Sequence, residues 1–280
     1  MSIPKDPRQL MINLMYLVLT AMLALNVSAE IINAFFLVDK GIKRSNVIVD
    51  LSNDGLKAAI DKQAQGYSQF KPLADKASEV RKISKEFTNY IQGVRDTLIT
   101  ASGGPYKNKK TGEIDTDKPK NKKDKDVTTR YLVDEGNGQK IYDKIISTKA
   151  ALLALVDAKD RVAISANLPL SIDTTGMNDD GTWGENAQPD WANFTFKQLP
   201  IAACMPIFRK FQNDSKTSET AILNYLFGKT GVDEIKFDAF QPVISANKGY
   251  ILKGEKYEAE VFLSAYSKTA GNISISGDGG

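Results

Sequence analysis

Twenty consecutive residues without a charge, Leu10 to Ala29 (LMINLMYLVLTAMLALNVSA), constrain this chain more than any other feature. At about 1.5 Å rise per residue, a helix of that length covers about 30 Å, one hydrocarbon core. Arg8 stands just before the run and Glu30 just after it. The segment therefore reads as a membrane-spanning helix. A cleaved secretory signal is the competing reading, because Lys5 and Arg8 make a basic start and Val27-Ser28-Ala29 offers small residues to a peptidase. Three features favour the anchor. The run exceeds the usual signal core of about 7–15 residues. Apolar character resumes after Glu30 as IINAFFLV, and no Gly or Pro interrupts the helix between Leu10 and Lys40. A second frame, Leu14 to Leu37, would bury the Glu30 carboxylate in lipid, which is costly. The first frame leaves Glu30 at the outer interface.

Flanking charge sets the orientation less directly. Lys40, Lys43 and Arg44 follow the run, and a literal positive-inside count would place that side in the cytoplasm. Only seven residues precede Arg8, however, and such a short basic tail resembles an uncleaved signal anchor, with the N-terminus inside and the bulk exported. Along the helix, Asn13, Tyr16, Thr20, Ala24 and Val27 recur at spacings of three and four. They are the polar and small members of a Leu/Met-rich segment, and in lipid such a face packs against another helix. An isolated anchor with incidental polar residues is the plainer alternative.

Composition narrows the chemistry. Hydrophobic residues are 42% and charged residues 25%, an ordinary globular balance. Lys+Arg of 37 against Asp+Glu of 34 gives no argument for nucleic acid. There is no histidine and one cysteine, Cys204. That removes the commonest general base, the Ser/His and Cys/His pairs, most zinc sites and any internal disulfide. No phosphate-binding GxxxxGK[ST], GxSxG, HExxH or CxxC occurs. Neither an enzyme nor a metal or cofactor site is expected. Cys204, in the apolar run IAACMPIF, reads as a core residue.

Beyond Lys40 the pattern becomes amphipathic. Val80, Ile83, Phe87, Tyr90, Ile91, Val94 and Leu98 form an apolar helical stripe, ended by Gly103-Gly104-Pro105. Ile141, Ile145, Leu152, Leu155, Val156 and Val162 mark a second helix ended by Asn167 and Pro169, and helical pattern fits about 40–64 and 200–227. Pro200 and Pro206 must start or kink the last one. Four such helices predict an antiparallel bundle. Residues 107–126 (KNKKTGEIDTDKPKNKKDKD) read as a solvated loop. Residues 171–190 resemble a calcium loop only superficially, since Thr175 and Met177 stand where acidic ligands should be. After Gly228–Gly231 the period changes: IKFDAF, YILKG, YEAEVFLSAY and NISIS read as the first four or five strands of a β-sandwich. A sandwich usually has about seven, so the chain reads as part of a longer protein.

The run Asp6–Phe35, DPRQLMINLMYLVLTAMLALNVSAEIINAF, closely resembles the N-terminus of the GldM/PorM family, inner-membrane motor subunits of type IX secretion and gliding. The layout also agrees: one transmembrane helix, a periplasmic all-α bundle, then the start of an all-β, Ig-like sandwich domain. The expected division is 1–9 cytoplasmic, 10–37 transmembrane, 38–228 bundle and 229–280 partial sandwich. The resemblance implies a homodimer whose paired helices sit inside a ring of five two-helix partners (GldL/PorL-like). Proton flow would drive rotation, and the periplasmic part would pass torque to outer-membrane secretion components. It also implies that Arg8, in the PRQ motif, faces a membrane glutamate of the ring. Asn13, Tyr16, Thr20, Ala24 and Glu30 are weaker interface candidates. Two rivals stand beside this reading: a periplasmic scaffold whose helix is only an anchor, and a secreted protein processed after Ala29.

Overall fold

The computed structural model describes residues 7–25, 29–231, 239–246 and 259–266. The chain divides into two compact units, Met1–Leu226 and Phe227–Gly280. In chain order the first holds α1 (Pro7–Leu25), α2 (Ala29–Gly66), α3 (Lys71–Ala101), strands β1 (Pro105–Lys107) and β2 (Ile114–Pro119), and α4 (Asp126–Thr128). A π-helical turn (Thr129–Asp134), α5 (Asn137–Ala154), α6 (Arg161–Ala166), α7 (Trp191–Phe196) and α8 (Ile201–Gly228) follow.

The expected span Leu10–Ala29 is helical from Leu10 to Leu25, about 24 Å at 1.5 Å per residue. Val27 and its two neighbours lie outside the described residues. Among the described residues no helix is long and apolar enough to cross a membrane. Ile32 and Phe36, whose apolar character continues the run, are buried in the first unit.

The predicted α3 stripe forms its core. Val80, Phe87, Ile91, Val94 and Leu98 are buried. Pro72 sits in the first turn, where its missing N–H costs nothing, and Gly103 and Gly104 take φ of 97° and 89° to turn the chain out. The predicted helix 141–162 is in fact two. α5 stops at Ala154 because the Arg161 guanidinium turns back and donates to the carbonyls of Val156 (3.0 Å) and Ala154 (3.3 Å). Those carbonyls have no partner further along the helix, and the guanidinium supplies it. The Tyr225 hydroxyl then holds the turn, accepting from the Asp157 amide at 3.3 Å and donating to Asp160 at 2.9 Å.

The bundle is not simply antiparallel. α3 runs against α2, through Arg95 with Asp39 and Arg81 with Asp54. It also runs against α8, through Ser84 with Ser215 and Arg95 with the Met205 carbonyl. α2 and α8 pair in ascending order (Asp39 with Arg209, Asn46 with Asn213, Asn53 with Thr220), so they are parallel. The end of α5 meets the end of α8 through Tyr225 and the start of α3 through Lys76–Asp157, so α5 shares their direction. The long crossover between α5 and α8 makes this possible, because it returns the chain to the starting end before α8 begins. α7 lies in that crossover and brings Phe196 onto Phe208 and Trp191 onto Phe211 of α8, with ring centroids 5.7 and 6.1 Å apart. Residues 171–190 close on themselves around buried Trp183, which bridges to Met177 and Gln188. One oxygen of Asp173 accepts from the amide and hydroxyl of Thr175, and one oxygen of Asp180 from those of Thr182.

The second unit shows β3 (Ala239–Ala246) paired antiparallel with β4 (Ala259–Tyr266), in continuous register from Ala239↔Tyr266 to Ala246↔Ala259. The further strands expected at 250–254 and 272–276 lie outside the described residues.

Candidate functional site

Arg8, Asn13, Tyr16 and Thr20 all lie on α1 and are exposed. Every residue from Pro7 to Thr20 is exposed, including Leu17 at 68% and Leu19 at 61%. At about 100° per residue, Asn13, Tyr16, Thr20 and Ala24 share one face, and Arg8 falls about a third of a turn away from it. The helix thus gathers the small and polar residues but not Arg8 with them. Thr20 is satisfied internally: its hydroxyl donates to the Tyr16 carbonyl at 2.8 Å and the Leu17 carbonyl at 3.0 Å. A hydroxyl bonded in this way makes little demand on a neighbouring helix. Glu30 stands in the first turn of α2, on a different helix, and is exposed.

The strongest polar constellation is one that periodicity did not find. Near the start of α2, Asp39 is buried and accepts from Arg95 of α3 through both oxygens, at 2.9 and 3.3 Å. It also accepts from Arg209 Nε of α8 at 3.4 Å. Arg209 donates onward to Asp117 at 2.9 Å, and Asp117 takes Lys43 of α2 at 2.5 Å. Arg95 is fully buried and also donates to the Met205 carbonyl; its Nε has no acceptor. Three cations therefore meet two carboxylates. Burial pulls the Arg95 guanidinium down, Asp39 pulls it up, and the net direction is down. Burial alone would raise the Asp117 carboxyl, but Lys43 and Arg209 together hold it below the ordinary carboxylate range.

Asp117 comes from the stretch expected to be a solvated loop. That expectation is corrected: residues 105–119 form a β-hairpin, its strand β2 reaches onto the bundle, and Lys118 and Lys122 lie 5.5 and 5.6 Å above the Phe36 ring of α2. Of the lysines in this stretch Lys118 and Lys122 hold it down, while Lys107, Lys109, Lys110, Lys120 and Lys123 stay exposed. Arg95 carries no clear signal in the sequence: at about 100° per residue it lies about 40° beyond Ile91, at the edge of the apolar stripe, where a half-solvated arginine is ordinary.

A second ionic group lies farther along the bundle. Arg81 of α3 joins Asp54 of α2 and Glu219 of α8, the latter at 2.6 Å, and Lys216 pairs with Asp50. These residues line an open cavity of about 480 Å³ whose charges are matched within it. Cys204 is buried and its thiol is pushed up to about 12 by desolvation, which leaves it a packing residue.

Among curated proteins none matches the chain. Residues 30–229 match the GldM N-terminal domain and residues 231–280 the GldM second domain. With the first match alone covering well over half of its length, the chain belongs to the GldM family, whose members are components of the gliding and type IX secretion machinery.

Proposed function

We propose that this chain is the rotating, torque-transmitting subunit of an inner-membrane motor that powers type IX secretion and gliding. It works mechanically, without catalytic chemistry of its own. In this reading α1 and the residues that follow it form the membrane anchor, with the N-terminus cytoplasmic and the bundle and β domain periplasmic. Two copies stand inside a ring of five two-helix partner subunits, and the second unit leads toward outer-membrane secretion components.

One observation carries the reading. α1 carries Leu, Met, Ile and Val on every side except the narrow face of Asn13, Tyr16 and Thr20, and nothing in the described chain covers it from Pro7 to Thr20. A helix of that kind is stable only in lipid or among other apolar helices. Arg8 stands at its head, where a guanidinium can pair with a partner carboxylate. Protonating that carboxylate breaks the pair and deprotonation restores it. One charge moving through 100 mV yields about 2.3 kcal/mol, enough to bias such a pair about fiftyfold.

The test is Arg8→Ala in the native membrane. Secretion and gliding are expected to stop while the complex still assembles with its ring; undiminished secretion sinks the coupling role. Exchanging residues 9–25 for an unrelated membrane helix, which leaves the buried Ile32 and Phe36 of α2 in place, separates the motor from a scaffold that is merely anchored, because the scaffold survives the exchange.

A further inference from the structure

α2 buries one face, and most of its members recur every seven residues: Ile32, Asp39, Asn46, Asn53 and Ile60. The outer two are apolar. The middle three are polar, and each is bonded to α8. Asp39 holds Arg209. Asn46 Oδ1 accepts from Asn213 Nδ2 at 2.7 Å. Asn53 donates to the Lys216 carbonyl at 3.0 Å and accepts from the Thr220 hydroxyl at 2.7 Å. The α8 partners Arg209, Asn213, Lys216 and Thr220 are spaced by four, three and four, so they too occupy one face.

A seven-residue repeat shared by two parallel helices is the geometry of a coiled-coil seam, whose knobs are ordinarily apolar. Apolar contact is non-directional and tolerates slip and rotation. A hydrogen bond weakens steeply once its angle falls or its length grows, so buried polar knobs fix register and azimuth at the expense of stability. Three in succession on one helix fix both helices against sliding and against turning about their own axes. α2 is the helix that follows α1 in the chain, and α8 is the last helix before the second unit.

We propose that this polar seam is the joint through which rotation of α2 is delivered to α8. The proposal rests on the motor reading above. Asp39, Asn46 and Asn53 with their α8 partners are positioning residues: they keep two helices in one fixed register and touch neither ion nor cargo. Asp117 closes the seam at its α1-proximal end by tying Arg209 to Lys43.

The experiment replaces the polar knobs by apolar ones of the same branching, Asn46→Leu with Asn213→Leu, and separately Asn53→Leu with Thr220→Val, in the chain with its native partners. Two readouts are taken: the thermal midpoint of the solubilised protein, and cargo secreted per assembled complex. Swapping buried polar groups for packed apolar ones is often neutral or stabilising. The midpoint is therefore expected to hold or rise while secretion falls at least tenfold. Asn46→Asp keeps an acceptor oxygen for Asn213 Nδ2 and is expected to retain secretion. Leucine pairs that fold and secrete normally overturn the joint. Should a leucine pair fail to accumulate, Asn213→Ala takes its place, and secretion that merely tracks the amount of folded protein overturns the joint equally. Arg8→Ala is run alongside. Loss there with normal leucine pairs removes only the seam, and normal secretion there removes the motor reading itself.

Discussion

Replacing Asp117 by alanine separates the energetic role of the hairpin from its exposed appearance. Asp117 holds two cations. Arg209, whose side chain is only 7% exposed, donates to it at 2.9 Å; Lys43, half exposed, lies at 2.5 Å. A buried hydrogen bond to a charged group contributes about 1.5–3 kcal/mol, and an exposed ion pair about 0–1 kcal/mol. Asp117→Ala should therefore cost about 2–4 kcal/mol, with two buried guanidinium groups left to share Asp39. In a domain of about 200 residues that corresponds to a fall of roughly 5–15 °C in the thermal midpoint. Lys43→Ala should cost about 1 kcal/mol or less. The sign of the pH dependence follows from the direction of the shift. Lys43 and Arg209 outweigh burial and hold the folded carboxyl below its ordinary value. Such a group stabilises the fold above its unfolded pKa of about 4 and loses that contribution as the pH falls through the folded value. The gap between the natural protein and Asp117→Ala should be full at pH 7 and shrink steadily below about pH 4. Circular dichroism melts of the detergent-solubilised chain at pH 7 and pH 3 measure it. Equal midpoints for Asp117→Ala and Lys43→Ala, or a gap that persists unchanged at pH 3, would refute the reasoning.

Gly138→Ala should destabilise by about 1–3 kcal/mol, because its new methyl would stand 2.7 Å from both the Ala192 Cβ and the Leu132 carbonyl oxygen; chemical denaturation reads this directly, and an unchanged midpoint argues against the close approach of α5 to α7. Cys204 should resist alkylation by iodoacetamide at pH 8 in the folded protein and react promptly in denaturant, since burial removes both access and thiolate; rapid labelling of folded protein contradicts the packing assignment.

How much of this was legible in advance differs from helix to helix. α3 declares itself, because Val80, Phe87, Ile91, Val94 and Leu98 put enough apolar area on one face to set the period. α2 does not, because the middle of its buried face is Asp39, Asn46 and Asn53, and a search for apolar recurrence passes over a polar core. The same blindness hid Arg95 and Arg209, whose burial depends on carboxylates from two other segments. The break after α5 was invisible for a related reason: no glycine or proline marks it, and the stop is made by the side chain of Arg161. The hairpin at 105–119 was misread because charge density signals solvent, and its attachment rests on a few residues, Asp117 and Lys118 with Lys122 just beyond, among many exposed charges. On α1 the sequence carried the apolar run and the small-residue face, and helix geometry added that Arg8 lies off that face.

The run of directions in the bundle has a mechanical consequence. A bundle of four strictly alternating helices would bring the chain back to the end where it began. Here α2 and α8 are parallel, so the chain comes in at one end and leaves at the other, along helices of which α2 alone rises about 57 Å. Tension applied through the two termini then loads the α2–α8 contacts in shear, all together, and cannot peel them apart one after another. The domain behaves as a rigid link in series, and strain along the chain is spread over every bond of the seam at once.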